Sequence, residues 1–348
     1  MQAILLPYDW AKEVGVYILL VRIGDNMCAF HMYVASCVPD GGIYHYVYEN
    51  GRMQAVSKTA ADRPMYLALR DNRLYAVLRE PFADSTNSGV CSWDMDGDGN
   101  LCNQSEIIST GGRCGCHLMV DNEHIYVANY LSGSICMLPE GTVAIHSGMG
   151  KNPVRQEAPH VHFVGSTPDQ MWLLAVDLGV DAIYMYSSDL QTSRRIQMPA
   201  GHGCRHLAWS EDGQYCFCVN ELASSLSVLR YVQDELVLID TISLLSGECR
   251  ENNTAAAIRV TGERVYISIR GCDQIVMLSH HKGLLTKPIL VDAEGKSPRD
   301  INIVGDFLFC ANENSDCITA FRLTEDGPQS MNVRLPVPKP LCIVFSEK

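Results

Sequence analysis

The stretch Cys204-Arg205-His206-Leu207-Ala208-Trp209, Ser210-Glu211-Asp212-Gly213-Gln214, Tyr215-Cys216-Phe217-Cys218-Val219-Asn220-Glu221-Leu222 sets two short apolar runs around an Asp-Gly turn. Short runs rich in aromatic and β-branched residues, bounded by Gly, Asp or Asn, read as paired strands. The unit recurs as Arg63-Pro64 to Arg79, Cys116-His117 to Tyr130, Pro159-His160 to Asp181, Ala257-Ile258-Arg259 to Gly271, and Pro298-Arg299 to Asn314. A seventh, split copy combines Lys339-Pro340-Leu341-Cys342-Ile343-Val344 with His31-Met32-Tyr33-Val34. A spacing of about 40 to 55 residues with scarce helical periodicity is that of four-stranded propeller blades. The expected fold is therefore all-β: a seven-bladed β-propeller of four-stranded antiparallel blades, its ring closed by strands from both termini. Closure of that kind also protects the sheet edges.

The repeat assigns residues 30–348 to one propeller domain, although 348 residues alone would allow two. Residues 1–29 fall outside it and read as an N-terminal extension: an extra strand or arm, or a leader ahead of a start at Met27 or Met32. Its apolar run Val14 to Val21 is flanked by Asp9, Lys12, Glu13 and Arg22 with no small-residue cleavage site, which fits neither a signal peptide nor a membrane span. Hydrophobic residues at 47% against 19% charged exclude a disordered chain. A formal charge of −13 makes nucleic acid and anionic membranes poor partners. Fifteen cysteines with no paired framework suit free thiols in a reducing compartment, with cytoplasm the default. A closed ring leaves no large apolar face, so a monomer is expected.

Several motifs resemble the lactonase family of seven-bladed propellers, which includes propeller-type 6-phosphogluconolactonase and 3-carboxy-cis,cis-muconate lactonizing enzyme. They are Pro159-His160-Val161-His162 followed by Asp177-Leu178-Gly179-Val180-Asp181, Gly203 to Leu207 followed by Val219-Asn220-Glu221-Leu222, Tyr266 to Gly271, Ser297-Pro298-Arg299-Asp300, and Ala311 to Asp316. Two departures stand out: Ile269 where the family usually has Asn before the arginine, and Cys204 where it usually has Pro before Arg205. The resemblance implies cofactor-free hydrolysis of a small anionic sugar lactone, foremost 6-phospho-D-glucono-1,5-lactone. A muconate-type cycloisomerase and a non-catalytic propeller binding a small anion are the alternatives.

Aligning the repeats on themselves places Arg63, His160, Arg205 and Arg299 at or beside one position. A second column reads Arg79, Tyr130, Leu178, Glu221, Arg270 and Glu313. Equivalent positions become neighbours around the channel mouth, so these columns predict a cation-rich ring suited to a small anion. Lactone hydrolysis needs a base, donors for the oxyanion and an acid for the departing alkoxide. The resemblance puts one of His160 and His162, with Arg205, Glu221 and Arg270, in the catalytic set. His162 or Glu221 would be the base, and the arginines would bind the anion. Arg63, Arg259, Arg299 and Glu313 are further substrate-binding candidates. Asp177 and Asp181 read as structural, and His206, alternating with Arg205, is expected to face the blade interior.

No metal is expected. His160-x-His162 lacks a third ligand at suitable spacing, Cys114-x-Cys116 and Cys216-x-Cys218 have the wrong spacing for zinc, and Asp94 to Gly99 opens like a calcium loop but has Ser105 where the bidentate glutamate belongs. That loop reads instead as a hairpin turn between outer strands. The four tryptophans show no blade-wise periodicity, and no phosphate loop or nucleophile elbow is present.

Overall fold

In the computed structural model every residue of Tyr215–Asn220 and Phe307–Asn312 is buried. Their apolar side chains point alternately to both faces of a sheet, and both faces are covered by neighbouring sheets. The outermost strands differ: in Glu235–Ser243 only Leu236 is buried, and the rest of the strand is partly or fully open to solvent. The described residues are 5–6, 18–19, 29–80, 86–245 and 252–348.

The strands from Phe30 onward form seven antiparallel sheets, six of them running in chain order from the channel outward. Blades 1 to 6 start with the inner strands Pro64–Arg70, Gly115–Val120, Val161–Ser166, Cys204–Trp209, Thr254–Thr261 and Pro298–Val304. In blades 1 and 5 two short strands share the outer position. Blade 7 takes its inner strand, Pro340–Glu347, from the end of the chain and pairs it with Phe30–Ser36, followed by Gly42–Glu49 and Arg52–Ala60. Pro340–Glu347 also lies beside Pro64–Arg70, which closes the ring.

The core consists of apolar layers between adjacent blades. One joins Phe217, Val228, Ile258 and Val276 of blades 4 and 5, and another joins Tyr48, Phe30, Phe309 and Leu335 of blades 7 and 6. Leu5–Leu6 pairs antiparallel with Ile18–Leu19, and the rest of residues 1–28, including the alternative start at Met27, lies outside the described residues. Met32, the other alternative, sits within a blade 7 strand opposite Phe345. Among the described residues no helix is long and apolar enough to cross a membrane. Asp94 to Gly99 is the hairpin expected, with the Asp96 carboxylate accepting from the Asp98 and Asn100 amides at 2.9 and 2.8 Å.

Phe30 fastens the split blade: its ring stacks on Tyr48 at 5.0 Å and meets Phe309 and Phe345 edge-on. Phe30→Ala is expected to cost about 3–5 kcal/mol, read by urea unfolding. A loss below about 1 kcal/mol would show that closure does not rest on this cluster.

Candidate active site

Each inner strand carries a β-bulge at the same height, where two consecutive residues face one partner on the second strand. A bulge breaks the two-residue alternation, so both residues are re-aimed into the channel. The upper ring is Met65, Cys116, His162, Arg205, Ala256, Arg299 and Leu341. The residue after each forms a lower ring that includes Tyr66, His117, Phe163, His206 and Asp300. A third ring comes from the end of each second strand. There the amides of Arg79, Tyr130, Leu178, Glu221 and Glu313 bond the carbonyls of Arg63, Cys114, His160, Gly203 and Ser297 at 2.7–3.0 Å. Arg270 completes it opposite Thr254, with Cys37 from blade 7.

These rings enclose a cavity of about 350 Å³ lined by Arg79, Arg155, Arg270, Arg299, Glu221, His162, Tyr130, Thr254, Met65, Cys114 and Cys116. Glu221 is its electrostatic centre. Its Oε1 accepts from Arg155 Nη2 at 2.6 Å, and its Oε2 lies 3.0 Å from both Arg205 Nε and Arg270 Nη2. Burial opposes ionisation, but the guanidiniums of Arg270, Arg205 and Arg155 win and hold the carboxyl well below its ordinary range. Arg205 is fully enclosed: its Nη1 donates to Ala256 O at 2.7 Å, and burial pulls it down to about 9, still charged at neutral pH. Arg270 is less satisfied, because its buried Nε has no hydrogen-bond partner among the described residues. Three guanidiniums on one carboxylate, with one donor unused, leave a positive site that an anion would complete.

Beside these arginines His162 is buried and contacts Cys116 Sγ through Nδ1 at 3.9 Å. Burial first, then Arg205, drives its pKa well below 6.5, so the imidazole is neutral. Beneath it the lower ring fills the channel: His117 lies 4.1 Å from Tyr66 and 4.4 Å from Phe163, and His206 lies 5.2 Å from both His117 and His162. His206 therefore faces the channel, not the blade interior, because the bulge at Arg205 turns both residues the same way. Its Nε2 stands 3.2 Å from Arg205 Nη1.

Other candidates lie elsewhere. His160 precedes its strand and is stacked on Tyr130 at 4.4 Å, its nitrogens on Tyr130 O and Glu157 Oε1 at 3.1 Å; it positions Tyr130 and does not line the cavity. Arg63 turns onto Asp62 at 2.9 Å, outside the cavity lining. Arg259 lies two residues below the lower ring, on Asp300 at 3.0 Å and Asn302 at 3.2 Å. Glu313 stands 3.6 Å from Arg299. Asp177 accepts from the His160 and Gly179 amides and orients His146 at 2.6 Å, while Asp181 anchors Gly201 and Gly203, a structural role for both. Ile269 and Cys204 are buried between blades, so the two departures fall in the framework and spare the cavity wall.

Arg155 had no sequence signal. It comes from the connection between blades 2 and 3, outside the repeat, where Gln156 fixes the loop to Leu178 O at 2.8 Å. Arg79 and Tyr130 were visible only as column members.

The chain matches the family model of the lactonase, 7-bladed beta-propeller, over residues 31–345. It is 31% identical to 6-phosphogluconolactonase of Bacillus subtilis, over 90% of this chain and 97% of that protein. Among solved structures it is similar to a Lactobacillus plantarum protein, with TM-score 0.82 and 27% identity over 92% of this chain and all of that one. The periplasmic gluconolactonase of Pseudomonas aeruginosa shares the fold, with TM-score 0.82 and 23% identity over 91% of this chain and 99% of that one.

His117, His162 and His206 are all held neutral chiefly by burial, with pKa well below 6.5. Unfolded, each binds a proton below about pH 6.5, so the stability they confer is present above that pH and is lost toward the folded values. Tm is expected to decline as pH falls below about 6.5, and less steeply in His117→Gln. A Tm with the same pH slope in both proteins would contradict this origin.

Proposed function

Because the chain belongs to the seven-bladed β-propeller lactonase family, we propose that it hydrolyses a small anionic sugar lactone, 6-phospho-D-glucono-1,5-lactone, to 6-phosphogluconate. The setting would be the cytoplasmic pentose phosphate pathway. One observation carries the reading: a neutral imidazole, His162, stands beside a set of guanidiniums in a cavity sized for a small molecule.

His162 is the base and Glu221 is not. A carboxylate held ionised by three guanidiniums is a poor proton acceptor, whereas the neutral imidazole has a free lone pair. His162 takes a proton from water as the water oxygen bonds to the lactone carbonyl carbon. Charge developing on the carbonyl oxygen is met by the Arg270 guanidinium in the cavity wall, with Arg205 behind it. The tetrahedral intermediate then breaks its bond to the ring oxygen, which takes back the proton from the His162 imidazolium. Glu221 keeps the guanidiniums aimed. Because Ile269 and Cys204 depart from the family pattern away from the cavity, they support a retained chemistry over a binding-only propeller.

The test is a panel of phosphorylated, carboxylated and neutral lactones, with spontaneous opening subtracted. The phosphorylated 1,5-lactone should be hydrolysed fastest, and His162→Gln and Arg270→Gln should each lower kcat/KM by about 100-fold or more. Since the base must be neutral and its pKa is depressed, the acid limb of kcat/KM should lie below the 6.5 of ordinary histidine. Isomerisation of a carboxymuconate without lactone hydrolysis would support the cycloisomerase, and His162→Gln with full activity would remove His162 from the chemistry.

A further inference from the structure

The cavity wall divides into two sectors. Blades 3 to 5 supply His162, Arg205, Glu221 and Arg270, the groups given the chemistry above. Farther round, blade 6 supplies Arg299 to the upper ring and blade 1 supplies Arg79 to the outer one. Blade 7 stands between them and offers only Leu341 and Cys37 at these positions, neither of them charged.

Arg299 and Arg79 are also the least committed of the cavity's arginines. Arg299 meets Glu313 at 3.6 Å, too long for a hydrogen bond, so its donors remain available. Arg79 is exposed and has no ion-pair partner among the described residues. Both guanidiniums line the same cavity as Cys114.

Resting on the lactonase reading, we propose that Arg79 and Arg299 form the subsite for the substrate's phosphate, which makes Arg79 a specificity-determining residue. The phosphorus of a 6-phosphorylated 1,5-lactone lies three bonds beyond ring atom C5, so the phosphate reaches past the sugar ring to a wall other than the one holding the carbonyl. A carboxylate has two coplanar oxygens and is satisfied by one guanidinium fork. A phosphoryl group has three terminal oxygens spread in space and can take two forks from different blades. Its charge of about −1.5 to −2 at neutral pH also matches two free guanidiniums better than a carboxylate does.

The experiment compares kcat/KM for 6-phosphogluconolactone with that for glucono-1,5-lactone in the wild type, Arg79→Gln, Arg79→Lys and Arg299→Gln. Each Gln variant should lower the preference for the phosphorylated lactone about tenfold or more, with Arg79→Lys between. Calorimetric titration of 6-phosphogluconate and gluconate into wild type and Arg79→Gln reads the same subsite without catalysis. The phospho compound should lose affinity in the variant and gluconate should lose less. A wild type that hydrolyses neither lactone would overturn the lactonase reading, while the titration would still decide the subsite. An unaltered preference, or equal losses for both ligands, would overturn the phosphate assignment. Arg79 is exposed, so Arg79→Gln should keep the wild-type Tm, which checks that the fold is intact.

Discussion

The β-bulge repeated on every inner strand is the constraint from which the site follows. Strands that converge on a narrow axis and alternate strictly would send only every second side chain into the channel. One extra residue per strand at a common height sends two in succession. The upper of the two rings meets the cavity and the lower closes it from below. Because the bulges are fixed by pairing to the second strands, the rings are held by backbone hydrogen bonds and need no support from mobile loops.

On that frame the electrostatics are costly and directed. A chain of formal charge −13 gathers five arginines in and directly behind one cavity and answers three of them with a single buried carboxylate. Burying such charge is expensive unless it is paired, and breaking a buried pair typically costs about 3–5 kcal/mol. The arrangement makes sense when an anion completes it. The neutral histidines belong to the same balance, since protonated imidazoles would add charge of the wrong sign beside the arginines.

The repeat made the architecture legible, because each blade writes the same strand and turn pattern into the chain and the split seventh copy closes the ring. The site was legible in part. The column at the strand ends could be read from self-alignment, and the same backbone hydrogen bond recurs there in blade after blade. The inner column was blurred by the bulge, which has no sequence signature of its own: Arg205 and Arg299 are equivalent to His162, whereas His160 and Arg63 lie two residues earlier. The same hidden residue misplaced His206. Arg155 was illegible for another reason, since it acts from a connection that no other blade repeats.

The split blade sets the order in which the molecule can be made. Phe30–Ser36 is made before every strand of blades 1 to 6, yet its inner partner, Pro340–Glu347, is made after all of them. Until Pro340–Glu347 is made the nascent blade 7 must carry an open edge, the state in which sheets are most exposed to wrong partners. Pairing at so large a sequence separation is also intrinsically slow. The ring that shields the cavity can therefore snap shut only after the strands of the other six blades have been made, which leaves the young chain dependent on being kept apart from its neighbours.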